Sequence, residues 1–100
     1  MRFAAKACPS RFAQFAQRVL GVPATSGDDL GCALDGVDRF EAFLRSLDCP
    51  TRLSQVGIGA GMLPRYAQDT LRVVHDGEGR LPGRPPLRET DIVEVLRSAL

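Results

Sequence analysis

The segment Gln55-Val-Gly-Ile-Gly-Ala-Gly-Met-Leu-Pro64 decides how the chain is read. Its glycines alternate with small apolar residues, and a helix-forming run follows. Fed by a strand, such a loop would open a βαβ unit and cradle a pyrophosphate. Flanked by helices, it is a bend in an all-α domain. A dinucleotide fingerprint needs G-x-G-x-x-G, because its glycines let a helix N-terminus approach the phosphates. Gly57, Gly59 and Gly61 give G-x-G-x-G instead. Glu78 stands about 20 residues on, where a ribose-binding acid would be sought. Upstream, however, "PTRLSQ" (50–55) is polar and helix-cap-like, and no second strand pattern follows. The segment therefore reads as a connection in which glycine tolerates positive φ.

Working outward, the periodicity is helical nearly throughout. Phe12, Phe15, Ala16, Val19 and Leu20 recur at i, i+3, i+4, i+7 and i+8, which marks one buried helix face. Ser10 is the expected N-cap. Gly21 is the expected stop, and Pro23 prevents resumption. A second, longer helix is expected from Ser26-Gly27-Asp28-Asp29, with acidic residues suited to the positive end of its dipole. Its stripe is Leu30, Ala33, Leu34, Val37, Phe40, Phe43, Leu44 and Leu47, and it should end before Cys49-Pro50. Gly31 and Gly36 each weaken it by roughly 1 kcal/mol against Ala. Gly36 therefore marks a close contact or a break.

A short helical turn is expected near residues 51–55. Pro64 fits the first turn of a third helix, with Tyr66, Ala67, Thr70, Leu71 and Val74 on one face. "DGEGRLPGRPP" (76–86) holds three glycines and three prolines without periodicity and reads as a long loop. "LRETDIVEVLRSAL" closes the chain as a helix with Ile92, Val95, Leu96 and Ala99 on one face. The fold expectation is all-α: a single helical domain over 1–100, a compact bundle of about four principal helices.

Composition narrows the function classes. The chain has 100 residues, 44% apolar and 25% charged, with a formal net charge of +1. One domain at most fits in that length. No basic stripe argues for nucleic acid, and no run approaches the ~18 apolar residues of a membrane span. The N-terminus lacks the long apolar stretch of a signal peptide. Cys8, Cys32 and Cys49 are odd in number and lack Cys-x-x-Cys spacing, which argues against a disulfide framework and for a reducing cytoplasm. With His75 they could form a zinc site on paper; buried free thiols are the plainer reading.

Other candidate sites are sparse. His75 beside Asp76 could be a general base tuned by a carboxylate, or a histidine placed at a helix end for the dipole. Pro82 to Pro85 gives a P-x-x-P that could serve as a polyproline ligand, or simply stiffen a loop. Met62 and Tyr66 read as core or staple residues. The residues alone show no catalytic constellation.

The order of the pieces adds a resemblance. "SRFAQFAQRVLGV", a long helix with an acidic start, "LRSLDCPTRLSQVGI", "LPRYAQDTLRVV" and "LPGRPPLRETDIVEVLRSAL" together resemble the C-terminal part of the iron-containing (group III) alcohol dehydrogenases. The clearest matches are Cys49 to Ile58, against the family's "LGxPTxLSxxGI", and Leu87 to Ala99, against its closing helix. The opening "RFAQFAQRV" is most similar to the NADPH-dependent butanol dehydrogenase and aldehyde reductase branch. The resemblance covers this whole chain but about the last quarter of a family member.

That resemblance implies an all-helical portion of a larger oxidoreductase. Its NAD(P)-binding α/β domain and its divalent metal, Fe or Zn, would lie upstream. The family's ligands are one Asp and three His, and none maps onto this chain; no metal or cofactor-binding residue is expected here. His75 is the one position nominated as near the active-site cleft. Arg88 stands where the family commonly has a Thr or Ser cap. The expected partner is an N-terminal nucleotide-binding domain, or a second copy through an exposed apolar face. The alternative is a self-standing helical interaction module with no enzymatic role.

Overall fold

The computed structural model describes residues 1–24 and 27–100. The fold is all-α, with no strand among the described residues. Five helices follow in order: α1 (Arg2–Ala7), α2 (Pro9–Val19), α3 (Asp29–Ser46), α4 (Leu63–Val73) and α5 (Glu89–Ser98). Short 3₁₀ turns occupy Leu53–Val56 and Ala60–Met62. Internal contacts gather into two compact units, Met1–Cys49 and Pro50–Leu100.

In the first unit α2 packs along α3. The contact is made of small residues: Cys32 Sγ donates to the Ala13 carbonyl of α2 at 3.8 Å, Gly36 lies against Ala16, and all four are buried. Small side chains let two backbones approach, so Gly36 marks the close contact rather than a break. Phe15 and Phe40 flank the crossing in an edge-to-face pair, with ring centroids 6.2 Å apart and planes at 78°, a favoured aromatic geometry. The short α1 is tied to α3 by Arg2, which pairs with Asp38 and Glu41 at 2.6 Å each. Glu41 is further held by Arg45, one turn on. The hydrogen bond to Asp38 leads the effects that raise the Arg2 guanidinium above its already high ordinary value.

The ends of these helices follow local chemistry. Pro9 opens α2 with Cys8 as N-cap, so Ser10 lies inside the first turn and is not the cap. Proline wins that place because its missing N–H is one that a helix start leaves unpaired anyway. The helix stops at Gly21, whose φ of +67° bends the chain leftward. There Val22 N–H returns to the Ala16 carbonyl at 3.0 Å. Arg39 of α3 also donates to the Leu20 and Gly21 carbonyls, at 3.1 and 3.3 Å. At α3 the Asp28 carboxylate accepts from Gly31 N–H at 3.0 Å, so the acidic start is a true cap. Ser26, named in that expected start, lies outside the described residues.

The expected stripes hold in part. Ala13 lies buried on α2, while Val19 is 66% exposed. On α3, Leu30, Phe43 and Leu47 are exposed, and Cys32, Ala33, Gly36 and Val37 carry the burial. The close crossing explains this shift, because the contact selects small residues and turns the bulky ones to its margins. α1 was not anticipated; its six residues are too short to establish a period.

In the second unit α4 packs against α5. Leu63 and Ala67 of α4 and Ile92 of α5 form its buried centre. Val74, expected on the buried face, caps α4 in extended conformation and is exposed. The turn Leu53–Val56 closes the far end of α5. Leu53 N–H donates to the Ala99 carbonyl at 2.7 Å. Arg52 Nη1 reaches the Ser98 carbonyl at 2.9 Å, and Ser54 Oγ the Leu100 carbonyl at 2.7 Å. The Ser98 and Ala99 carbonyls, which the helix end leaves unpaired, and the Leu100 oxygen beyond it are thus met from one turn. Gln55 locks that turn in place, its amide oxygen accepting from Thr51 and Arg52 N–H at 2.7 and 2.9 Å.

Among the described residues, Leu63 is the single large side chain with essentially no exposure. At ~25 cal/mol per Å² of apolar surface, units centred on alanine gain little from burial. Units of about 50 residues are marginal for that reason.

Candidate functional site

The glycine segment runs from one 3₁₀ turn to α4 through a second 3₁₀ turn. Only Gly57 of its three glycines has positive φ, +80°. A Cβ added at Gly57, Gly59 or Gly61 would meet nothing within 4 Å. The glycines therefore do not serve a close helix–strand contact, and the flanking elements are helical. The segment is a bend entering α4, with Pro64 in its first turn. Met62, expected as a core or staple residue, is exposed, while Tyr66 is half-buried.

His75 lies just past the end of α4 and is exposed. Its Nδ1 lies 3.1 Å from the Leu71 carbonyl oxygen, one turn back. A protonated Nδ1 there donates to a carbonyl that the helix end leaves free, the role expected of a histidine in that place. The neighbouring carboxylate is engaged elsewhere. Asp76 Oδ1 accepts from Glu78 and Arg80 N–H at 2.8 and 2.9 Å, and Oδ2 takes Arg80 Nε at 3.0 Å. Asp76 N–H donates in turn to the Arg80 carbonyl at 2.7 Å. The Arg80 backbone bond leads the effects that hold the Asp76 carboxyl below the usual range. Asp76 thus orders a turn, and this geometry gives no His–Asp pair.

The stretch beyond is more ordered than its composition suggests. Leu81 and Leu87 exchange backbone hydrogen bonds at 2.7 and 3.0 Å as an isolated antiparallel bridge. Pro82 to Pro85 lie in the arch between them, and the Arg84–Pro85 peptide is cis. The P-x-x-P is therefore part of a closed loop. Sequence reading missed the Asp76 turn. Its signal is an Asp two and four residues before bonded backbone N–H groups in a glycine-rich stretch, a recognised side-chain turn.

The cysteines do not converge into a ligand set. All three are free; Cys32 is buried, Cys8 half-buried and Cys49 exposed. The expectation of buried thiols therefore holds for Cys32 alone. Gln17 Nε2 approaches the Cys32 sulfur at 3.5 Å. Among the described residues, no three His, Cys, Asp or Glu side chains come together in a way that could hold a metal ion. His75, turned to a helix carbonyl, stands in no such group, so the described residues do not fit the metal that the resemblance implies. No helix of the described residues is long and apolar enough to cross a membrane.

No family model matches the chain. Relatives appear by direct comparison. Over 100 residues the chain is 29% identical to a Bacillus subtilis (strain 168) protein named "Probable NADH-dependent butanol dehydrogenase 1". Over 101 residues it is 28% identical to "Probable NADH-dependent butanol dehydrogenase 2" of the same organism. The chain is similar to butanol dehydrogenases. The similarity covers all of this chain but 24% and 25% of the two relatives, so the chain spans about a quarter of their length.

Proposed function

We propose that the chain is the C-terminal helical portion of an iron-containing alcohol dehydrogenase-like oxidoreductase. The whole protein would oxidise an alcohol or reduce an aldehyde with NAD(P). In this reading, residues outside the chain hold the nucleotide and the divalent metal, and an N-terminal nucleotide-binding domain is its partner. The chain's own contribution is packing: two small helical units that support a cleft built elsewhere. The observation that carries the reading is similarity along the full chain to two butanol dehydrogenases. Its free thiols suit a reducing, cytoplasmic setting. The finer assignment, to the NADPH-dependent butanol dehydrogenase and aldehyde reductase branch, rests on "RFAQFAQRV"; both relatives carry NADH in their names.

A chimera tests this reading. The matching quarter of the first Bacillus relative is replaced by this chain, and butanol-dependent reduction of NAD⁺ and NADP⁺ is followed. Turnover well above that of the relative lacking the quarter is expected. The isolated chain should neither turn over nor melt higher with NADPH, Fe²⁺ or Zn²⁺, since a ligand of the folded state raises its melting temperature. A chimera that folds and binds nucleotide without turnover would overturn the assignment.

One observation favours the interaction-module alternative. Val73 is 80% exposed, and Val19, Phe43, Leu47 and Val56 are also open to solvent. Exposed apolar side chains drive association where they are contiguous. Light scattering on the purified chain tests the module: a discrete stable oligomer is what it requires, and a monomer counts against it.

A further inference from the structure

We draw no further inference here: the strongest candidate, the exposed apolar end of α3 at Phe43 and Leu47, is an unpartnered helix face, and nothing in the structure shows what covers it.

Discussion

Gly36 and Ala16 occupy one contact: a Cβ built on Gly36 would overlap the Ala16 Cβ and lie 3.1 Å from the Ala16 Cα. Backbone cannot retreat as a flexible side-chain end can. Alanine would improve the intrinsic helix preference of α3 by roughly 1 kcal/mol. Forcing a methyl into a packed crossing costs about 1–3 kcal/mol, so the packing term decides the sign. Gly36→Ala should lower the stability of the first unit by about 1 kcal/mol in a urea titration followed by circular dichroism. A more stable variant would show that α2 and α3 are not packed this closely.

Arg39 acts on the same pair of helices from outside the crossing. It donates to the carbonyls of Leu20 and Gly21, where α2 ends. Arg39→Ala should therefore destabilise the first unit by about 0.5–1.5 kcal/mol, the usual net worth of an intramolecular hydrogen bond. Arg39→Lys should recover part of this, since an ammonium can still donate. Gly21→Ala should cost about 1–2 kcal/mol through its left-handed φ. The same urea titration checks all three, and a neutral Gly21→Ala would contradict the stop assigned to that residue.

These two positions also show what sequence reading could reach. Gly36 was legible as a close contact or a break, and Gly21 as a stop, because each glycine stands against a helical pattern; the close approach of Ala16 decides the first. The all-α class was legible for the same reason, as periodicity of 3.6 extends over most of the chain. Which face is buried was less legible. Hydropathy favours Val19, Phe43 and Leu47, but a close crossing selects Ala13, Ala16 and Gly36 and leaves the larger residues out. Volume complementarity between two helices does not appear in the pattern of either one. The loop 76–86 hid its order because side-chain-to-backbone bonds at Asp76 have no period. The sequence puts His75 at a helix end, but the occupation of Asp76 by Arg80 depends on a turn that no periodic residue pattern shows.

Asp76 carries a pH prediction. Its carboxyl is held below the ordinary value of 3.8 by bonds that favour the ionised form. A depressed folded pKa adds stability above the unfolded value, and that stability is lost as pH falls through the folded one. The second unit should therefore loosen below about pH 4, while the neutral range is unaffected. A carbon-detected titration of the Asp76 carboxyl should give a midpoint under 3.8. Asp76→Asn should melt lower at pH 7 and change less than the native chain on acidification. A midpoint at or above the ordinary value would mean the turn does not hold the carboxylate in solution.

Arg88 offers a gain rather than a loss. It occupies the N-cap of α5 in extended conformation, with φ −82° and ψ 169°, and its side chain forms no cap bond. Only half of a capping box is in place: the Asp91 carboxylate accepts from Arg88 N–H at 2.9 Å. The backbone already has the shape a cap needs, so a hydroxyl at residue 88 could accept from the N–H of residue 91 and complete the reciprocal pair. A cap of this kind is worth about 0.5–2 kcal/mol relative to a residue that cannot accept. Arg88→Ser should stabilise the second unit by about 1 kcal/mol. Asp91→Ala should weaken it by a similar amount, by freeing the Arg88 N–H and removing an acid from the positive end of the helix. Combining the two should yield less than their sum, because the pair acts as one motif. Thermal melts of the four proteins close the cycle, and strict additivity would show that residues 88 and 91 do not cap α5 together.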